Sequence, residues 1–136
     1  MKDLELLVIC EWHDARTTDR EVHRPAWADV ERAIRDLDGR VRNDVYLHPD
    51  KSDLETYLCI GGGDGRYVVT GAIDNREFPT FVDSARDGLP GQSLVVGGQA
   101  GTFPANWIVD LETTLRVVRA FYDARGFVCG ISWTNV

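Results

Sequence analysis

The stretch YLCIGGGDGRYVVTG, residues 57–71, places glycine at positions 61, 62, 63 and 65 between two apolar runs. Two readings compete for it. A glycine-rich turn between a strand and a helix can cradle a phosphate on the helix N-terminus. The same glycines can instead supply the positive backbone angles of a tight β-hairpin. The residues that follow decide between them. A dinucleotide fingerprint needs a third glycine and then a helix, but Arg66 stands at the third position. RYVVTGAI (66–73) alternates and is β-branched, which is the pattern of a strand. No Gly-Lys-Ser/Thr follows, so the P-loop pattern fails as well. The stretch predicts two antiparallel strands joined at Gly-Asp-Gly.

Outward from this hairpin the chain continues in short strands. Towards the N-terminus lie a strand at 4–12 (LELLVICEW), a polar segment at 13–22 that reads as a loop or an irregular strand, and a helix over 25–38. Pro25 suits the first turn of that helix, Trp27, Val30, Ile34 and Leu37 line one face, and Gly39 ends it. DVYLH (44–48) reads as a strand and PDKS as a turn. Towards the C-terminus, NREFPTFVD predicts a short strand that Pro79 confines to an edge or an interrupted position. QSLVVGG (92–98) predicts another. Its glycines, Gly97 and Gly98, fit a bulge or a close backbone approach before a loop. A second helix is predicted over 110–125, with Asp110 as N-cap, Leu111, Leu115, Val118, Phe121 and Tyr122 on its apolar side, and Gly126 as C-cap. FVCGISW (127–133) closes the chain as a strand. The order β-α-β-β-β-β-β-α-β predicts an α+β fold: a largely antiparallel sheet of six to seven strands with two helices packed on it.

Composition bounds the function. The chain has 136 residues, 43% hydrophobic, and a formal charge of −7. That length predicts one domain over residues 1–136, large enough to bury a core without staples. The acidic balance disfavours direct nucleic-acid binding, which needs lysine and arginine stripes, and favours a basic partner. No apolar run is long enough for a membrane span. The first residues, MKDLELLVICEWHD, carry acids inside the apolar run and lack a small-residue cleavage site, so they do not read as a signal peptide and the expected compartment is the cytoplasm. Cys10, Cys59 and Cys129 all sit in apolar runs, odd in number and without a CxxC pair, and read as reduced core residues.

Chemistry-bearing motifs are absent from the sequence. His13, His23 and His48 form no metal-ligand spacing, neither half of the zinc-deaminase signature occurs, and there is no Gly-x-Ser-x-Gly elbow. The expectation is a protein without catalytic residues, metal or cofactor. Trp12, Trp27 and Trp133 read as core; Trp107, in FPANWIV, is the tryptophan a ligand pocket could use.

The segment SLVVGGQAGTFPANWIVDLETTLRVVRAFYDARGFVCGISW (93–133) resembles the immunity-protein family numbered one of bacterial polymorphic toxin systems. The resemblance rests on Gly97 and Gly98 ending a strand, Phe103-Pro104 in a short loop, Ile108, the acid-capped helix with Glu112, Phe121 and Gly126, and Trp133 at the end. Upstream, LCIGGGDGRYVV is similar to the family's glycine hairpin, so the likeness runs over roughly residues 40–135, while the first forty residues share only a strand followed by a helix. It implies one immunity-protein-like domain that binds a cognate protein toxin, commonly of the deaminase superfamily, and occludes its active site. The expected mechanism is steric and electrostatic, without a cofactor, and the chain is expected to be a monomer before the toxin binds. The matched motif residues Gly97, Gly98, Phe103, Pro104 and Trp133 read as structural.

The family pattern supplies no interface, so the toxin-contacting surface is read from charge. Residues 44–64 hold Asp44, Asp50, Asp53, Glu55 and Asp64 against Lys51 alone, and Asp74 and Glu77 follow. Loops and hairpin tips carry binding residues, so the expected surface joins the 49–55 turn, the 63–66 tip with Arg66, and the 74–77 turn. Ordinary solvated turn residues would look the same. Two other functions stay open: a small-molecule-binding module or small enzyme with a pocket at Trp107 and Tyr67, and an assembly subunit with an exposed sheet edge.

Overall fold

The structure, a computed structural model, describes residues 4–128 and 130–135. Ten strands and two α-helices alternate along it: β1 Leu6–His13, β2 Arg16–His23, α1 Trp27–Arg35, β3 Asp44–His48, β4 Tyr57–Gly63, β5 Arg66–Ala72, β6 Pro79–Phe81, β7 Gln92–Val96, β8 Gln99–Phe103, β9 Ile108–Val109, α2 Leu111–Ala124 and β10 Trp133–Asn135. Eight strands form one antiparallel sheet in the order β10-β6-β5-β4-β3-β1-β2, with β9 added beside β5, and β7-β8 is a separate hairpin. The α+β class expected from the strand and helix pattern is the class observed.

The sheet has one helix-covered face and one free of helices. Alternation puts Leu7 and Ile9 of β1, Val45 and Leu47 of β3, Leu58 and Ile60 of β4 and Val69 of β5 on the same side; Ile9, Val45, Ile60 and Val69 stand in one cross-strand row. These residues form a single buried cluster with Val30, Ala33, Ile34 and Leu37 from α1 and its end and with Val117, Val118 and Phe121 from α2. Each such side chain stabilises the fold by about 1.5–3 kcal/mol through burial alone. The α1 face is the expected one. On α2 the buried stripe runs through Thr114, Val117, Val118 and Phe121, with Leu111, Leu115 and Tyr122 on its half-buried flank.

Several local expectations shift. Helix α1 is shorter than 25–38: Pro25 precedes the N-cap Ala26, whose N–H is taken by Asp29 Oδ2 at 2.9 Å. It stops near Asp36 because Asp38 Oδ1 then collects the N–H groups of Arg40 (2.8 Å) and Arg42 (3.0 Å) and turns the chain back. Asp110 caps α2 as expected, accepting the Thr113 N–H at 2.8 Å. The left-handed residue at its other end is Arg125 (φ 57°), and Gly126 donates its N–H to the Phe121 carbonyl. The polar 13–22 segment is an ordered edge strand, β2, paired with β1 from His13↔Arg16 to Leu6↔His23. Strand β6 lies between β5 and β10, interrupted rather than at an edge, meeting β5 only at Thr70↔Thr80. The closing strand starts at Trp133, not Phe127. Phe127 instead fills the space above Gly71, where a Cβ would collide with its ring. Cys10 and Cys59 are buried and free; Cys129 lies outside the described residues.

Candidate functional site

The acidic turns fold by using their own carboxylates. Asp50 Oδ1 accepts the Ser52 N–H (2.9 Å) and hydroxyl (2.6 Å), and Asp53 Oδ1 accepts the Glu55 N–H at 3.1 Å. In the β5–β6 turn, Asp74 (φ 53°) and Asn75 (φ 51°) take left-handed angles, which aspartate and asparagine tolerate best after glycine. The two turns are clasped together: Asp74 N–H donates to Thr56 Oγ1 at 3.1 Å and Asn75 N–H to the Glu55 carbonyl at 3.1 Å. One end of the sheet therefore carries Asp50, Asp53, Glu55, Asp74 and Glu77 against Lys51 and Arg76. Two large apolar side chains stand out among them, Leu54 at 58% and Phe78 at 41% exposure.

Asp64 and Arg66 are elsewhere. Strands β4 and β5 pair from Tyr57↔Ala72 at the acidic end to Gly63↔Arg66 at the other, roughly 20 Å away at the usual rise per residue. The expected single surface joining all three turns is thus divided by the length of a strand. At this far end Asp64 (φ 55°) and Gly65 (φ 88°) make the two-residue hairpin turn that the opening stretch predicts. Arg66 donates to Gln92 Oε1 at 3.0 Å. It lines an open groove of about 990 Å³ together with Arg35, Arg40 and Arg42, and with Asp36 and Asp38 between them. Tyr67 also lines this groove and is buried in the helix-side core. Trp107 packs against Phe103 (6.4 Å between centroids) beside Val68, Leu94 and Ile108. Tyr67 and Val68 are neighbours on a strand and point to opposite faces, so Tyr67 and Trp107 do not share a pocket.

The second glycine cluster is a turn as well as a close approach. Gly97 (φ 60°) and Gly98 (φ 75°) join β7 to β8, a strand where a loop was expected. A Cβ on Gly98 would strike the Trp12 ring. The buried Asn43 accepts the Gly98 N–H at 2.9 Å, and Asp44, 1% exposed, accepts from Trp12 Nε1 at 2.9 Å. Pro104 caps a short 3-10 turn at 105–107, and Trp133 packs edge-on against Phe81 and Phe127. All five motif residues have packing or turning roles in the fold.

Beyond that hairpin the helix-free face of the sheet is open. Register places Asp19 and Glu21 of β2, Leu6, Val8 and Cys10 of β1, Asp44, Tyr46 and His48 of β3, Tyr57 and Cys59 of β4, and Thr70 of β5 on it. Among the described residues its upper end is covered, where Val96 of the β7-β8 hairpin lies against Gly61, while Leu6, Cys10, His48 and Cys59 are buried beneath their neighbours. Tyr46 and Tyr57 are half-buried, with ring centroids 5.5 Å apart, and His48 lies 5.8 Å from Tyr57. Burial, then the Asp44 and Asp19 charges, pushes the Cys10 thiol far up. Burial and Asp44 raise Cys59 to about 12. Neither is a thiolate nucleophile at neutral pH. Among the described residues no cluster of His, Cys, Asp or Glu is suited to hold a metal ion, and no helix is long and apolar enough to cross a membrane.

Charge counting along the chain overlooked Asp19 and Glu21. The signal was present in RTTDREVH, where Arg16, Thr18 and Arg20 alternate with Thr17, Asp19 and Glu21. Pairing with β1 turns that alternation into one basic and one acidic side.

A family model described as "Immunity protein Imm1" matches residues 18–128. The match begins within β2 and takes in α1, further towards the N-terminus than the roughly 40–135 covered by the resemblance. No curated protein matches the chain, and no solved structure does.

Proposed function

The chain belongs to the Imm1 family of immunity proteins, and from that premise we propose that it neutralises a cognate toxin by binding it. The toxin is a nucleic-acid deaminase, the encounter takes place in the cytoplasm, and the inhibitor works by covering the toxin's active site without turnover of its own. The observation that supports this reading is the clasped acidic end. The two turns that carry five carboxylates are joined by the Asp74 and Asn75 N–H groups, donating to Thr56 Oγ1 and the Glu55 carbonyl, with Leu54 and Phe78 exposed among them. An enzyme acting on DNA or RNA needs a basic channel for the phosphates. An acidic end with apolar anchors is complementary to such a channel, gains association rate from steering, and needs only a standard interface of roughly 1,200–2,000 Å².

Of the proposed contact residues, Asp50, Asp53, Glu55, Asp74 and Glu77 form this end, and Asp64 and Arg66 are assigned to the periphery at most. Asp50 and Asp53 also hold their loop, so Glu55 and Glu77 report charge most cleanly. The test is co-expression with the toxin encoded by the neighbouring gene, scored for growth and co-purification. Wild type is expected to rescue growth and to co-purify. Glu55→Lys with Glu77→Lys is expected to slow association about tenfold or more at low salt, and Asp64→Lys to change it less than about threefold. Failure of wild type to bind or protect defeats the function; equal effects of the two variants defeat the surface.

A further inference from the structure

Strand β2 sorts its charges by face. Residues opposite Leu7, Ile9 and His13 are Val22, Arg20 and Arg16, on the helix side; residues opposite Val8 and Cys10 are Glu21 and Asp19, on the open side. Thr18 and Arg20 accordingly line a small cleft with Asp29, Arg32 and Asp36 of α1 and its end. The open side continues from Asp19 and Glu21 across Val8, Tyr46, Tyr57 and Thr70, all half-buried. The strand cation on this side, Arg66, is at its far end and engaged with Gln92. His48 lies against Tyr57, which follows directly on the Thr56 that clasps the acidic turns, so the open face adjoins the clasped acidic end.

We infer that the helix-free face of the sheet, centred on Tyr46 and Tyr57 and edged by Asp19 and Glu21, is a docking surface for a lysine- and arginine-rich protein surface, which on the reading above is the cognate toxin. Three features carry this. The face has aromatic rings at its centre and carboxylates at its edge, the arrangement that suits guanidinium and ammonium groups stacking on tyrosine while paired at the rim. Its floor holds a polar atom that meets no hydrogen-bond partner among the described residues: Nδ1 of His48, a side chain 7% exposed beside the Thr56 backbone. Buried polar atoms are rarely left so, and a polar group from a partner would complete this one. Finally, the face is made of side chains on paired strands, so docking costs less ordering entropy than on a loop.

The experiment uses the full chain and an active-site-inactivated form of the toxin encoded by the neighbouring gene, with binding followed by surface plasmon resonance at low and moderate salt. Asp19→Lys with Glu21→Lys is expected to weaken binding about 30-fold or more, mainly by slower association. Arg16→Glu with Arg20→Glu, on the same strand but the covered face, is expected to stay within about threefold. Tyr57→Ala is expected to weaken binding about tenfold through faster dissociation. Thermal melting of each variant separates loss of fold from loss of contact. If wild type binds and the two charge variants are indistinguishable, the face is not the docking surface. If wild type fails to bind at all, it is the toxin reading that falls. A dimer of the chain alone in sedimentation velocity, abolished by Asp19→Lys with Glu21→Lys, would assign the face to a second copy and overturn the inference.

Discussion

The same strands build both faces of the central sheet, and the faces differ in everything else. Under the helices, the row Ile9, Val45, Ile60, Val69 meets Ile34, Val117 and Phe121 in an apolar cluster. On the other side the buried floor mixes the polar Asp44, His48 and Thr80 with Leu6, Cys10 and Cys59, and Tyr46 and Tyr57 are left half in solvent. Buried polar groups contribute less cohesion than apolar ones and cost stability when unpaired. A face built that way contributes less to holding the fold together than the helix-covered one, and its half-exposed side chains are available for recognition. The helix-covered face is where stability resides.

The sharpest way to break that comparison is to truncate one aromatic from each face. Phe121→Ala removes a side chain 1% exposed at the centre of the helix-side cluster and is expected to cost about 3–5 kcal/mol in urea unfolding. Tyr57→Ala, half-buried on the open face, is expected to cost about 1–2 kcal/mol. Equal losses would mean that the open face is a second core and that its aromatic row needs no partner.

What could be read from the chain divides along the same line. Local chemistry was legible: Asp110 caps α2 as its position before Leu111 requires, and Asp64-Gly65 closes the hairpin. The glycines of 61–65 were correctly separated from a phosphate cradle because β5 follows them directly. Features set by register were not legible. QAGTF shows no apolar alternation and becomes β8 only because Gly97-Gly98 folds it back on β7. RTTDREVH has charges on both faces, so only pairing with β1 says which are exposed to what. The candidate site failed for the same reason in reverse. Asp64 is nine residues from Glu55 in sequence, yet a full strand separates them, whereas Glu21 and Tyr46, far more distant in sequence, flank Val8 on one face.

A smaller effect tests how the open face is capped. Gly61 sits on β4 beneath the β7-β8 hairpin, and a Cβ there would run into the methyl groups of Val96. Gly61→Ala therefore forces the hairpin to shift, at an expected cost of about 1–3 kcal/mol in thermal or urea unfolding. Gly126→Ala is the matched control, since nothing lies near its would-be Cβ and its backbone angle is not positive; it is expected to change stability by less than about 0.5 kcal/mol. Amide exchange should then speed up across 92–103 in Gly61→Ala and leave α2 unchanged. Loss of protection in α2 as well would mean that the hairpin is integral to the core and the two faces are one cooperative unit.

The finest distinction is one of pH. His48 lies among Tyr57, the Thr56 backbone and the charges of Asp53 and Glu21, and burial outweighs those neighbours, holding its pKa below the ordinary 6.5. The folded protein thus takes up this proton at lower pH than the unfolded chain does. The stability that His48 contributes in neutral form is fully present above about pH 6.5 and declines as pH falls towards the folded value. Unfolding free energy measured from about pH 7.5 down to about pH 5.5 is expected to fall in wild type and to fall less steeply in His48→Phe, which keeps a ring beside Tyr57. A toxin group that donates to the ring would favour its neutral form and lower the folded value further, so the slope should steepen in the complex. An unchanged slope in His48→Phe would mean that the ring titrates as if in water, and that the open face has no buried polar floor for a partner to complete.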